Sequence, residues 1–229
     1  MTEYYMFDQN LLQKPIFQKA FTHRSYLNES SDAEESNERL EFLGDSVLSL
    51  IVSRYLYQNR STDDEGDLTN LRSYIVKTQS LAIAAKKLNL GSYLRLSKGE
   101  ELSGGRENTQ LMANTFEALL GATYLDQGFD AADAFVKENL LPLFENEITN
   151  GPPKDAKSVL QEVAQNLTKQ SPKYKILETS GPDHAKEFTV GVFVQGKQMG
   201  EGKGFSKQIA EEQAAQVALK VLNAENPAH

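Results

Sequence analysis

Asn37-Glu38-Arg39-Leu40-Glu41-Phe42-Leu43-Gly44-Asp45-Ser46-Val47-Leu48 opens a run, continuing to Tyr57, that is apolar on almost every side. Ser36-Asn37 form a natural cap pair. Leu40, Phe42, Leu43, Val47, Leu48, Leu50, Ile51, Val52, Tyr55 and Leu56 then mark a buried helix over 38–57. Such a helix has little room for charge, yet Glu41 and Asp45 lie four apart, one turn from each other on one face, with Glu38 on roughly the same side. A second helical run over 109–125 repeats the anomaly. Glu117 is its only charged side chain, set among Leu111, Met112, Phe116, Leu119 and Leu120, with Asn114 three residues earlier on the same face. An ionised carboxylate on an apolar packing surface is costly unless a cation or hydrogen-bond donors compensate it. Two readings follow from the pattern: an oxygen-ligand site for a hard divalent cation shared by the two helices, or salt bridges to Arg39, Arg54 or Arg72.

Working outward, the acidic stretch Asp63-Asp64-Glu65-Gly66-Asp67 starts a helix that runs to about Lys87. Gly91 interrupts the pattern, a polar loop surrounds Gly104-Gly105, and a further helix covers about 130–147. No strand pattern precedes Asn150-Gly151-Pro152-Pro153-Lys154, which reads as a linker because its prolines and glycine stop whatever comes before. Beyond it the period changes. A helix over about 155–169 precedes strand-like runs near 174–179, 186–195 and 197–202, the second alternating Phe188, Val190, Val192, Val194. A helix over about 206–222 closes the chain. The expected architecture is an all-α domain over 1–149, a linker over 150–154 and a small α+β domain, α-β-β-β-α, over 155–225.

Composition narrows the chemistry. The 229 residues include no Cys, which excludes disulfides, cysteine nucleophiles and thiolate metal sites, and only three His, which makes a His-built metal site a poor expectation. A metal here would be held by oxygen, as Mg²⁺ or Mn²⁺ are. The start MTEYYMFDQN lacks a signal-peptide pattern and no apolar run is long enough to span a bilayer, so no membrane partner and a cytoplasmic location are expected. The net charge of −8 is unevenly spread: residues 1–153 hold 23 of the 32 acidic and 14 of the 24 basic side chains. The second part, close to neutral, is free to meet a polyanion.

The stretch Asn37–Leu48 resembles the signature of the ribonuclease III family. Ala20-Phe21-Thr22-His23-Arg24-Ser25-Tyr26 resembles an early motif of that family and Asp64-Glu65-Gly66-Asp67-Leu68 a middle one. Lys98-Gly99-Glu100 with Gly104-Gly105-Arg106 resembles the loop before its last catalytic helix, and Phe116-Glu117-Ala118-Leu119-Leu120-Gly121-Ala122 that helix itself. The second part is similar to a double-stranded-RNA-binding domain at Asp155-Ala156-Lys157-Ser158-Val159-Leu160-Gln161-Glu162, Gly181-Pro182-Asp183-His184, Gly200-Glu201-Gly202 and Ser206-Lys207, and in the Ala210, Ala214, Ala215 pattern.

The resemblance implies a homodimeric endoribonuclease, paired through its helical domain, that cuts both strands of duplex RNA to leave 5′-phosphates, 3′-hydroxyls and short 3′ overhangs. Precursors of ribosomal RNA and structured messenger or small RNAs are the substrates it implies. It places Glu41, Asp45, Asn114 and Glu117 at four metal-binding positions for Mg²⁺, with Mn²⁺ able to substitute. The family usually has an acid where this chain has Asn114, which brings no charge and one oxygen donor, so weaker metal affinity is expected; the alternative is a catalytically silent RNA-binding regulator. Glu38 and Glu65 fall at positions of supporting role, and each also reads as an ordinary first-turn acid. His23 reads as a hydrogen-bonded packing residue rather than a catalyst. Phe42 reads either as a side chain inserted into a partner subunit or as core, and Gly44 as a site of close helix packing. The RNA-binding surface is expected from Ser158, Gln161 and Gln165 on one helix face, His184 in a loop, and Lys203, Ser206 and Lys207 around the start of the last helix. Lys207-Gln208 stands where the family often has paired lysines, and Glu211 and Glu212 follow, so binding is expected to be weak and salt-sensitive.

Overall fold

The chain divides into two units, Met1–Pro152 and Pro153–His229. The structure, a computed structural model, describes residues 9–30, 32, 35–153, 155–182 and 185–225. In the first unit the helices are α1 (Gln9–Leu12), α2 (Pro15–Ala20), α3 (Glu38–Asn59), α4 (Glu65–Val76), α5 (Thr78–Lys87), α6 (Lys98–Leu102), α7 (Thr109–Gln127), α8 (Phe129–Asn139) and α9 (Glu145–Asn150), with short 3₁₀ turns between some of them. Local chemistry sets several starts. The Asp64 carboxylate accepts the Asp67 N–H at 2.8 Å to open α4, and Asn108 Oδ1 accepts the N–H groups of Gln110 and Leu111 at 2.9 and 3.1 Å to open α7.

Two long helices expected from the sequence are broken. Between α4 and α5, Lys77 is extended at φ −66°, ψ 152°, and the Ser80 hydroxyl donates to the Tyr74 carbonyl at 2.7 Å, taking up an acceptor that a continuous helix would have used. The run over 130–147 splits at a 3₁₀ turn, Leu141–Phe144, because Pro142 has no N–H to continue the ladder. Nor is α3 buried all round. Phe42, Leu50 and Tyr57 are 78%, 57% and 76% exposed and form an apolar stripe on its outer side.

The centre of the unit is the crossing of α3 with α7, its most extensive helix pair. Their backbones touch. A Cβ on Gly44 would lie 1.8 Å from the Glu117 carbonyl oxygen, and one on Gly121 would lie 2.3 Å from that of Leu40. Glycine is therefore required on both helices, and it sets Glu41 and Asp45 of α3 beside Asn114 and Glu117 of α7. Around this crossing Leu48, Ile51, Phe116, Leu119 and Leu120 are fully buried.

The second unit runs α10 (Ala156–Thr168), β1 (Lys173–Ser180), β2 (Glu187–Val194), β3 (Lys197–Gly204) and α11 (Lys207–Glu225). Its antiparallel sheet has the order β1-β2-β3. Gln195 and Gly196, both at positive φ (51° and 81°), make the tight turn between β2 and β3. Leu160 and Ala164 of α10 share one core with Val192, Val194, Met199 and the alanines Ala214, Ala215 and Ala218 of α11. On β3, a Cβ at Gly200 or Gly202 would meet the α11 backbone at 2.4 and 2.3 Å, so small residues on both partners bring strand and helix together. The helical part followed by an α+β part expected from the sequence is the architecture found.

Candidate functional site

Glu41 and Asn114 face a common cleft of about 380 Å³, whose wall also includes His23, Arg24 and Glu38. Asp45 is exposed one turn along α3 and Glu117 is half-buried one turn along α7. The three carboxylates feel one another. Burial, together with the charges of Asp45 and Glu41, pushes Glu117 up to about 8. Burial and the charges of Glu38 and Asp45 raise Glu41 too, while a hydrogen bond with the Asn114 side chain holds that rise back.

The salt-bridge reading finds no support. Arg72 donates to the Ser53 hydroxyl at 3.0 Å, and the Arg54 guanidinium lies 5.5 Å from the centre of the Phe129 ring. Arg39 is exposed and acts electrostatically on Glu35. Among the described residues no ion pair joins Glu41, Asp45 or Glu117 to a lysine or arginine. Three repelling carboxylates with no neutralising base have the charge and oxygen donors that a hard cation takes. Among the described residues no three His, Asp or Glu side chains are already drawn together as a metal cage. The set fits Mg²⁺ or Mn²⁺ on charge and donor chemistry.

Asn114 is spent on protein contacts. Its Oδ1 accepts the Gln110 amide at 2.6 Å, and its side chain is also hydrogen-bonded to Glu41. Gln110 lies one turn before it on α7, a partner that the i, i+4 spacing could have revealed and that the sequence reading missed. Glu38 stands at the cleft rim, accepting the Ser36 hydroxyl at 2.9 Å and facing Arg24 at 3.6 Å. Glu65 is away from the cleft. It is exposed in the first turn of α4, where it accepts the Thr69 hydroxyl at 3.2 Å. His23 lines the cleft, and it is hydrogen-bonded to Ser25, as a hydrogen-bonded residue at this position would be.

In the second unit Ser158, Gln161 and Gln165 are exposed along α10. Ser158 and Gln161 share a groove of about 840 Å³ with Gln208, Ile209 and Glu212 of α11. Ser158 is held by the Asp155 cap, its N–H and hydroxyl donating at 2.9 and 2.8 Å. These bonds keep Asp155 below the usual carboxylate range. Lys203 and Lys207 are exposed, and the Lys207 ammonium lies 5.9 Å from the Phe188 ring. Ser206 caps α11 through the Ile209 N–H at 3.2 Å. The acids after Lys207 have internal work: Glu211 pairs with Lys157 and Glu212 accepts the Ala156 N–H at 2.7 Å. His184 lies outside the described residues.

Comparison with known proteins agrees across both units. Residues 13–143 match the model of the Ribonuclease-III-like family, and residues 156–222 match the double-stranded RNA binding motif. The chain is 45% identical over 212 residues to Ribonuclease 3 of Pelotomaculum thermopropionicum, covering 93% of this chain and 86% of that protein. It is 46% identical over 215 residues to Ribonuclease 3 of Oceanobacillus iheyensis, covering 92% of each. A crystal structure of the nuclease domain of ribonuclease III from Campylobacter jejuni superimposes with a TM-score of 0.52 at 39% identity, over 60% of this chain and 86% of that one. A second structure of that domain, described as flexible in the region involved in dimer formation, gives 0.53 at 38% identity over 60% and 90%.

Proposed function

The chain belongs to the ribonuclease III family, and from that membership we propose that it is a Mg²⁺-dependent endoribonuclease whose cleavage centre is Glu41, Asp45, Asn114 and Glu117. That it is an endoribonuclease with a double-stranded-RNA-binding unit follows from the family. The metal, the residues and the products are the proposal. The observation that carries it is the group of three mutually repelling carboxylates, free of lysine and arginine partners among the described residues, at a crossing that glycine alone permits.

Mg²⁺, or Mn²⁺ in its place, would supply a water activated near neutral pH and neutralise charge on the attacked phosphate and the leaving 3′ oxygen. The chain's own residues do the rest. Glu41, Asp45 and Glu117 bring negative charge to one place on two rigid helices, and the half-buried position of Glu117 keeps bulk water from screening it. Cleavage would leave 5′-phosphates, 3′-hydroxyls and short 3′ overhangs on ribosomal RNA precursors and structured messenger or small RNAs. A homodimer formed through the apolar stripe of Phe42, Leu50 and Tyr57 would cover side chains otherwise left in water.

Duplex cleavage by wild type and Asn114→Asp, titrated with Mg²⁺, tests this reading. Both oxygens of an aspartate accept, so one can keep the Gln110 amide while the other turns to the ion. Asn114→Asp is expected to lower the Mg²⁺ concentration for half-maximal cleavage on the order of tenfold. No cleavage by either protein at high Mg²⁺ or Mn²⁺ would instead favour a silent RNA-binding regulator, a reading supported by the engagement of Asn114 Oδ1 with Gln110.

RNA binding in the second unit is assigned to Ser158, Gln161 and Gln165 in a minor groove and to Lys203, Lys207 and the N-terminus of α11 at phosphates. Glu211 and Glu212 are tied to α10, which limits any repulsion of phosphates by them. Lys207→Ala should weaken binding about equally for all duplex sequences and flatten the logarithmic salt slope by about one. Duplex titrations at several salt concentrations measure it, and an unchanged slope would remove Lys207 from the interface.

A further inference from the structure

The cleft beside the carboxylates is lined by the acids Glu38 and Glu41, and a phosphodiester entering it needs hydrogen-bond donors. Most polar side chains there are already engaged. The Asn37 amide donates to the Ala20 carbonyl at 3.3 Å, the Thr115 hydroxyl donates to the Leu111 carbonyl at 2.6 Å, and Asn114 is held by Gln110 and Glu41. That leaves His23 and the exposed Arg24, which faces Glu38 at 3.6 Å.

His23 is set for one role by its own contacts. The Ser25 N–H points to His23 Nδ1 at 3.3 Å, and the Ser25 hydroxyl lies 2.8 Å from the same nitrogen. That hydroxyl oxygen in turn accepts the N–H of Ser97, the cap of α6, at 3.0 Å. Nδ1 is therefore an acceptor, and in the neutral ring the proton resides on Nε2, the far nitrogen. Among the described residues Nε2 has no hydrogen-bond partner. The backbone is fixed too: His23 N–H donates to the Arg95 carbonyl at 3.1 Å, and Thr22 pairs with Arg95. A ring locked at one nitrogen and unpartnered at the other, in a cleft lined also by Glu38 and Glu41, can donate a hydrogen bond to an entering phosphate.

We propose that His23 is a substrate-contacting residue whose Nε2–H donates to a non-bridging oxygen of an RNA phosphate next to the cleavage centre, with Ser25 and Ser97 holding the ring in the donating tautomer. The inference rests on the carboxylate cluster being that centre. His23→Asn separates contact from scaffold: asparagine is a good cap and its Oδ1 can accept the Ser25 N–H, but it cannot present a donor at the position of Nε2.

The experiment uses the full-length protein and an RNA duplex carrying single methylphosphonates on 2′-O-methyl nucleotides around the cut, each compared with a 2′-O-methyl phosphodiester control. His23→Asn is expected to keep the wild-type melting temperature and raise KM about tenfold with little change in kcat. At one phosphate, the methylphosphonate should raise the wild-type KM similarly and add little to the variant. A wild-type KM in His23→Asn, or penalties that add in full at every phosphate, would overturn the assignment. Lost stability does not blur the result, since a smaller active fraction scales the rates on all duplexes alike. Glu117→Gln in the same assay separates the two readings: if it cleaves normally the centre lies elsewhere, whatever His23 does.

Discussion

Glu117→Gln is expected to abolish duplex cleavage and, in the absence of metal, to stabilise the protein above pH 8. The loss of rate should be at least about a thousandfold, because a ligand that concentrates charge at the reacting phosphate contributes several kcal/mol to the barrier. The gain in stability follows from the position of its carboxyl, pushed up to about 8 from the ordinary 4.5 by burial and by Asp45 and Glu41. A raised acid favours folding while it is protonated. That contribution is full below the unfolded value, declines as pH climbs from about 4.5, and is gone above about 8, where the folded chain carries a half-buried carboxylate among like charges.

Glutamine has no such charge, so variant and wild type should melt together near pH 5 and separate toward pH 9. The group is partly solvated, which limits the difference to about 1–2 kcal/mol, or roughly 3–6 °C in the melting temperature of the helical unit. Thermal melts in EDTA at both pH values, together with cleavage in Mg²⁺, measure the two effects. Duplex binding through the second unit should persist. A stability gap identical at pH 5 and pH 9 would remove the electrostatic account, and retained cleavage would remove the residue from the centre.

The acids were legible in the sequence for a simple reason. Helical period places Glu41 beside Asp45 and Asn114 beside Glu117 whatever surrounds them, and a lone charge in an apolar run is conspicuous. What joins the two pairs was less accessible. The distance between helices depends on Gly44 and Gly121, far apart in the chain; close packing at Gly44 is legible, but that Gly121 is its partner is not, and Gly121 reads locally as no more than a weak helix position. The break at Lys77 carries no Gly or Pro to announce it, and its reason, the Ser80 hydroxyl on the Tyr74 carbonyl, appears only after folding. The outer face of α3 was less legible: Leu50 looks like core in the pattern and Phe42 reads equally as core or as a partner contact, because hydrophobicity does not say whether a face meets its own chain, a partner or water. At His23 the aromatic neighbours Phe21 and Tyr26 point to packing, but the hydrogen bonds that orient its ring come from Ser25, itself held across the chain by Ser97, a contact that local sequence does not reveal.

Gly44→Ala tests the crossing itself and should be among the most damaging single-methyl changes in the chain. The added Cβ would sit 1.8 Å from the Glu117 carbonyl oxygen and 2.6 Å from its carbon, both backbone atoms that no rotamer change can move. The helices must part, exposing or loosening the buried residues around them, at a cost of about 3–5 kcal/mol. Cleavage should fall further than stability alone accounts for, since the same displacement carries Glu117 away from Glu41 and Asp45. Gly121→Ala meets the Leu40 carbonyl at 2.3 Å and should behave alike. Gly66→Ala is the control: its nearest neighbour is the Asp64 carboxylate at 3.2 Å in an exposed first turn, and alanine there should change stability by less than about 1 kcal/mol. The double variant Gly44→Ala/Gly121→Ala gives the sharper reading. Each added methyl lies within 3.2 Å of the other glycine's nitrogen, so one separation of the helices accommodates both and the combined loss should fall well short of the sum. Melting temperatures and cleavage rates of the four variants measure it; fully additive losses would mean that the two glycines serve separate contacts, and that the shared crossing does not by itself hold the two pairs of side chains together.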